Sequence, residues 1–301
     1  MKAVFLSDAH IRDHADPNLP PLLGFLEHLA GRTERLYIVG DLFDTWFGFR
    51  RAVFDEYVPL LGAIEKLKRS ATRIIYVTGN HDFELGNFFE RILEAEIHDT
   101  QFALEEDGRR AFIAHGDMVN PHDRKYRRLR RILRARPTRW LGRNLPPSWV
   151  WRIAGRLTVR CTGDESAARI PLREIFREYA EDLHRRGFDT VILGHLHLPQ
   201  FEQRPPAALR SCAAQGEAES SDSSLRSASS ARLDSPPAAA RPESPALRSS
   251  AASAGEEEPA QTYANLGDWV RWRTFLRWED GRLELRQWNW PEAVERPFRP
   301  G

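Results

Sequence analysis

The sequence predicts an α/β fold, and three observations predict it. Apolar runs of strand length alternate with helical segments over the first 80 residues. Asp-Gly pairs at 107–108 and 280–281 each sit between strand-like runs, as in a hairpin. Glycine followed by Asp, Asn or His ends several of those runs, which is where α/β folds carry their sites.

The elements follow in order. "AVFLSD" (3–8) reads as a buried strand ending in a polar turn, "LLGFLEHLA" (22–30) as a helix and "RLYIVGD" (35–41) as a strand. Residues 53–69 read as a helix and "RIIYVTGN" (73–80) as a strand. "QFALEEDGRRAFIAHGD" (101–117) reads as two strands around its Asp-Gly turn. A helix over 167–186 leads into the strand "DTVILGH" (189–195), and "TYANLGDWV", "RTFLRWEDG" and "RLELRQW" read as three further strands. Residues 203–261 break the pattern. They are rich in Ala, Ser, Pro, Glu and Arg and hold no aromatic residue, Ile, Val or Met. Such a tract buries too little apolar surface to offset the entropy of ordering it, so it is expected to be a disordered loop insertion between two strands.

Composition bounds the function. With 301 residues, 41% of them hydrophobic, the chain can bury a large core. The net charge of +1 hides an asymmetry: residues 124–160 hold 13 Lys/Arg and no Asp/Glu, and the remainder is acidic. One basic block on an acidic protein points to an anionic partner there. Leu129, Ile132 and Leu133 recur at helical spacing among the arginines, and Trp140, Trp149 and Trp151 follow. A helical basic cap over 122–165 with apolar and cationic faces could hold acyl chains and dock on an anionic membrane surface. Its apolar stripe could equally pack on the main domain. The interleaved Trp and Leu favour lipid, and no nucleic acid is expected. Cys161 and Cys212 fit no metal spacing, so a reducing compartment is expected. No apolar run reaches the length of a signal peptide or membrane span, which predicts a soluble or peripheral protein.

Five short motifs carry the chemistry: "SDAH" (Asp8, His10), "GDLFD" (Asp41), "GNHD" (Asn80, His81, Asp82), "HGD" (His115) and "GHLH" (His195, His197). Their donors are oxygen and imidazole nitrogen with no thiolate, a set suited to Mn²⁺, Fe²⁺ or Zn²⁺. Seven candidate ligands exceed one tetrahedral site and suit two metals sharing a carboxylate, with Asp41 the natural bridge. The partners in Asp8-x-His10 and in His195-x-His197 are expected on one side of an extended segment. Two metals roughly 3.5–4 Å apart acidify a bridging water to hydroxide for attack on phosphorus. His81, held by Asp82, could steady the transferring charge or protonate the leaving oxygen. Any one motif alone is a common turn; the five together in this order are not.

In that order the motifs resemble the calcineurin-like metallophosphoesterase superfamily, over residues 1–202 and again from 262. The resemblance implies a four-layer α/β/β/α sandwich of two mixed sheets with a dinuclear metal site. It implies one metal held by Asp8, His10, Asp41 and His197 and another by Asp41, Asn80, His115 and His195. "GDLFDTWFGF", "NLGDWV" and "HGDMVNPHDRKYRRLRR" are similar to segments of the bacterial UDP-2,3-diacylglucosamine pyrophosphatases. That resemblance places Asp123, Tyr126 and Arg130 at substrate-binding positions. It implies Mn²⁺-dependent hydrolysis of a lipid-linked sugar-nucleotide to 2,3-diacylglucosamine 1-phosphate and UMP. It also implies a cytoplasmic enzyme peripheral to a bacterial inner membrane. This chain has His81 where those enzymes commonly carry Arg. A phosphodiesterase or nucleotide phosphatase of the same superfamily is the alternative, and a non-catalytic scaffold predicts missing ligands, of which there are none.

Overall fold

The computed structural model describes residues 2–82, 84–146, 149–150, 166–204 and 260–299. Two sheets stack, and the alternation of each strand decides which residues face which layer. In β1 (Lys2–Leu6), β2 (Arg35–Val39) and β3 (Arg73–Val77), Phe5, Tyr37, Val39, Ile75 and Val77 point toward the second sheet. Their neighbours Val4, Leu6, Leu36, Ile38, Ile74 and Tyr76 point the other way, onto helices α1 (Leu19–Leu29) and α2 (Val58–Arg69). Both faces are therefore buried, which is why these strands read as continuous apolar runs. In the second sheet, β6 (Arg109–Ala114), β7 (Thr190–Leu193) and β9 (Gln261–Asn265) turn Ala111, Ile113, Ile192 and Ala264 inward. They turn Phe112, Val191, Leu193 and Tyr263 outward onto Phe176, Ala180 and Leu183 of α5 (Ser166–Arg185). The layers are α/β/β/α, as the resemblance implies.

The first sheet is completed by β4 (Glu96–His98), β10 (Thr274–Glu279), β11 (Arg282–Asn289) and β12 (Val294–Pro297), in the order β12-β11-β10-β1-β2-β3-β4. The second adds β5 (Gln101–Glu106) and β8 (Gln200–Arg204), in the order β5-β6-β7-β9-β8. The centres of both sheets are parallel: β1 with β2, β2 with β3, β6 with β7, and β7 with β9. Six carboxyl ends therefore open toward one end of the sandwich. The hairpins form where expected, with Asp107–Gly108 and Asp280–Gly281 both at positive φ, as a two-residue turn of this kind requires.

Several details depart from the sequence reading. The helix expected over 53–69 starts at Val58, after a 3₁₀ turn at Asp55–Tyr57, because Pro59 favours the first helical turn. Strands β4, β8 and β12 were not anticipated. All three lie at a sheet edge and are short and polar, and β12 ends in Pro. Arg204 of β8 pairs with Gln261 of β9, so the chain leaves and re-enters at opposed residues. The insertion between them, expected to be disordered, lies outside the described residues apart from its ends, as does Trp151. Among the described residues no helix is long and apolar enough to cross a membrane.

The basic segment forms α3 (Arg124–Leu133) and α4 (Arg136–Asn144). Neither offers a buried residue, and Ile132, Trp140 and Leu141 are each more than half exposed. The helices are held by polar contacts instead. Asp117, 4% exposed at its side chain, accepts from Tyr126 Oη and Arg130 Nε, each at 2.5 Å. Glu84, 1% exposed, accepts from Arg139 and Arg143. Arg134 donates to the carbonyls of Asp99 and Gly79.

Candidate metal centre

The motif loops continue the parallel pairing beyond the strands. Asp8 N donates to Gly40 O at 3.1 Å, His10 N to Asp41 O at 3.0 Å, and Gly194 N to His115 O at 2.9 Å. This ladder carries "SDAH", "GDLFD", "HGD" and "GHLH" to one place. Glycines make the approach possible: a Cβ on Gly79 would collide with the Asp41 carboxylate, and one on Gly40 with the His115 ring.

The backbone at the cluster is strained. Asp8, His10, Asp41, His195 and His197 all have φ between +45° and +65°. The extended geometry expected for the two x-spaced pairs is thus not what brings them together; left-handed turns do. Each such residue costs on the order of 1 kcal/mol or more, and strain of this kind gathers at functional sites.

Asp8, His10 and His197 each bring a ligand atom within 4.8 Å of the others, and so do Asp41, His115 and His195. The two groups touch. His10 Nε2 is 3.7 Å from Asp8 Oδ1 and 3.8 Å from Asp41 Oδ2. His115 Nε2 lies 3.2 Å from Asp41 Oδ2 and 3.0 Å from Asn80 Oδ1, while His197 Nε2 lies 3.4 Å from Asp8 Oδ1. All seven expected ligands converge. Asp8, Asp41 and His115 are fully buried. Asp8 Oδ1 and His10 Nε2 are buried without a hydrogen-bond partner, aimed into the cluster. Orphaned donors of this chemistry fit a divalent cation.

The charges of the cluster are interlocked. Burial opposes ionisation of Asp41, yet His115, His81 and His10 outweigh it and hold the carboxyl well below its usual range. Burial likewise opposes ionisation of Asp8, and His197 and His10 outweigh it. Burial works against charge on His115 too, but Asp41 raises its pKa to about 10. His195 goes the other way: burial and the neighbouring His115 lower it to about 4.

His81 and Asp82 behave differently from expectation. The His81 ring turns Nδ1 to the Asp44 carbonyl at 2.5 Å, and a third group of potential ligands joins it to His10 and Asp44. Asp82 does not hold that ring. It accepts from Leu42 N at 2.9 Å, Gly79 N at 2.8 Å and Tyr76 Oη at 2.5 Å, bracing the loops that carry Asp41 and Asn80. Two residues past Asn80, its carboxylate is drawn back to these donors rather than out to the ring. Asp123 caps α3, accepting from Tyr126 N at 2.9 Å. Tyr126 and Arg130 reach the buried Asp117, two residues past His115.

Four acidic residues were missed. Asp268 Oδ2 lies 3.3 Å from His197 Nδ1, where it would orient that imidazole as the outer partner of a metal ligand. Asp44, Asp117 and Glu84 complete the set. Asp44 was legible as the second acid of "GDLFD", and Asp117 and Asp268 as the acids of "HGD" and "NLGDWV"; Glu84 carries no such signal.

Comparison with known proteins follows the same line. The family model for calcineurin-like phosphoesterase matches residues 1–199. A UDP-2,3-diacylglucosamine hydrolase of Histophilus somni is 26% identical over 211 residues, covering 68% of this chain and 88% of that protein. The protein of that name from Pseudomonas aeruginosa (strain UCBPP-PA14) is 29% identical over 206 residues, covering 66% and 83%. Among solved structures, Vps29 complexed with zinc from Entamoeba histolytica aligns with a TM-score of 0.38 and 13% identity over 98% of this chain and 96% of that one.

Proposed function

The chain belongs to the calcineurin-like phosphoesterase family, and from that premise we propose that it hydrolyses the pyrophosphate bond of UDP-2,3-diacylglucosamine. The products are UMP and 2,3-diacylglucosamine 1-phosphate. The observation that carries the reading is the convergence of seven oxygen and imidazole donors from both sheets, in a chain whose relatives bear that hydrolase name.

Asp8, His10 and His197 would hold one ion and Asn80, His115 and His195 the other, with Asp41 between them. Mn²⁺ is the ion we assign to this nitrogen and oxygen set. When bound, such ions supply Lewis acidity to phosphoryl oxygens and a nucleophile at neutral pH. His81 moves the proton. Its Nδ1 is committed to the Asp44 carbonyl, and although burial disfavours its charge, Asp41 raises its pKa, so Nε2 can donate to the departing oxygen. Asp82 acts through the loop, as a positioning residue. Asp123, Tyr126 and Arg130 form the substrate side of the cap: Asp123 starts α3, Tyr126 closes on Asp117, and Arg130 Nη2 is buried without a partner and can donate to a phosphate. The exposed Arg124, Arg128 and Arg131 of α3 and the exposed Trp140 of α4 would face an anionic membrane surface.

The test is incubation of the purified chain with Mn²⁺ and UDP-2,3-diacylglucosamine, with nucleotide release followed by mass spectrometry. UMP is expected, and Asn80→Ala or His115→Ala should abolish it. Cleavage of a generic phosphodiester without UMP release would sink the substrate and leave another phosphodiesterase of this family.

A further inference from the structure

Away from the metal centre, a cavity of about 240 Å³ opens between α4 and the segments around residues 48–50 and 86–91. Arg50, Arg91 and Arg143 line it, with Trp140 and two asparagine amides, and among the described residues no acid does. Arg143 is committed to Glu84. Arg50 and Arg91 make no ion pair or side-chain hydrogen bond with any described residue. Like charges gathered in a concave wall repel one another and focus field on whatever enters, so the pocket is set for an anion.

The walls are built, not incidental. Asn87 Nδ2 ties to the Arg50 carbonyl at 2.8 Å, and Asn144 Nδ2 to the Trp140 carbonyl at 2.7 Å, so each amide steadies the backbone that presents a lining side chain. The floor is bare backbone. Gly48 and Gly86 meet so closely that a Cβ on either would collide with the other segment, and Gly86 also has φ +71°. Gly142 of α4 sits against the Phe47 ring, which fixes the helix over the floor.

We propose that this pocket binds a phosphate ester group. The guanidinium fork matches phosphate oxygens, and two unpaired forks beside an exposed indole suit a phosphate carried on a larger, partly apolar body. The same chemistry comes from two sources, an anionic phospholipid headgroup or a free phosphate. The pocket shares no residue with the seven-donor cluster. It is joined to it through paired loops, Trp46 N to His81 O at 2.9 Å and Gly48 N to Glu84 O at 2.6 Å.

The test uses the full chain, freed of metal by chelation so that the metal centre does not bind the probe. Inorganic phosphate is titrated calorimetrically, and sedimentation is measured with vesicles of phosphatidylglycerol or of phosphatidylcholine. The Arg50→Gln/Arg91→Gln pair should weaken at least one of the two anionic probes tenfold or more, and Arg50→Lys/Arg91→Lys should keep part of that binding. Loss confined to phosphatidylglycerol vesicles identifies a headgroup; loss of inorganic phosphate binding identifies a free-phosphate site. Unchanged binding of both probes overturns the proposal. Both arginines are exposed, so folding is expected to survive, and Mn²⁺-dependent cleavage of a soluble phosphodiester should stay within twofold. That last readout separates this pocket from the metal-centre reading.

Discussion

Exchanging His10 for Gly and, separately, for Ala isolates the backbone strain at the metal centre. Both variants lose the imidazole, its stacking on His197 at 5.0 Å and its edge contact with His81 at 4.8 Å. Both also lose the orphaned Nε2 and one candidate ligand. They differ only in a Cβ held at φ +45°. A left-handed residue with a Cβ costs roughly 1–2 kcal/mol. Glycine in turn loses about 0.4–1 kcal/mol more chain entropy on folding. The Gly variant should therefore be the more stable by about 0.5–1 kcal/mol. On a domain of this size 1 kcal/mol moves Tm by about 2–4 °C, so the pair should differ by about 1–4 °C.

The assay is thermal unfolding of the chelator-treated variants, followed by circular dichroism. The same pair at His195 and His197, at φ +65° and +59°, should give the same sign. His115 is the internal control, because it is not among the residues at positive φ. There Ala should be the more stable, by about 0.4–1 kcal/mol. An Ala variant at position 10 as stable as the Gly variant would refute the strain argument.

Further outcomes follow from contacts already described. Gly79→Ala places a methyl in the Asp41 carboxylate; bound metal, measured by elemental analysis, and hydrolysis should fall together, the latter by about 100-fold. Because His115 is raised to about 10, the metal-free protein holds that proton at pH 8, and metal loading should release about one proton per chain, read with an indicator dye. The sign for stability is fixed by the same shift: the folded value lies above the ordinary 6.5, so this stabilisation of the metal-free fold is complete below pH 6.5 and lost as pH rises through about 10. His195, lowered to about 4, instead removes stability as pH falls from 6.5 through that value, since the unfolded chain takes the proton first. Glu84→Ala strips Arg139 and Arg143 of α4 of their buried partner; allowing for guanidinium groups about a third exposed, the loss is about 2 kcal/mol, and trypsin should cut faster within 136–144.

The candidate ligands were legible because each motif follows a strand buried on both faces, and such strands announce themselves as apolar runs, several of them ending in glycine. Phe5 and Val39 face the second sheet while Leu6 and Ile38 face the helices, and that double burial makes "AVFL" and "LYIV" readable. The edge strands were not legible, because "EIH" and "VERP" bury little and carry no alternation. The cap was read as helical from its leucine spacing, but how it is held was not. Leu129 and Leu133 suggested an apolar seam; the structure uses Asp117 and Glu84, single acids whose partners lie 9 to 59 residues away in sequence. A pattern of neighbours cannot report a contact at that separation.

The same limit explains why Asp82 was misassigned, and it separates two kinds of carboxylate. In "GDLFD", "GNHD", "HGD" and "NLGDWV" an acid stands beside or within a ligand motif, and spacing alone does not say which acid faces the centre. Burial does not separate them either: Asp8, Asp41, Asp82, Asp117 and Asp268 are all under 9% exposed. Satisfaction does. Asp82 accepts two backbone amides and a hydroxyl, Asp117 a guanidinium and a hydroxyl, and Asp268 two backbone amides besides facing His197. Asp8 keeps an oxygen without a hydrogen-bond partner, faced only by imidazoles, and Asp41 meets one amide and is otherwise ringed by imidazoles. Buried carboxylates must be hydrogen-bonded, paired or coordinated to metal. The first group meets that requirement inside the protein. Asp8 and Asp41 meet it only in part, with imidazoles that are themselves metal donors, so the two aspartates left over mark the centre.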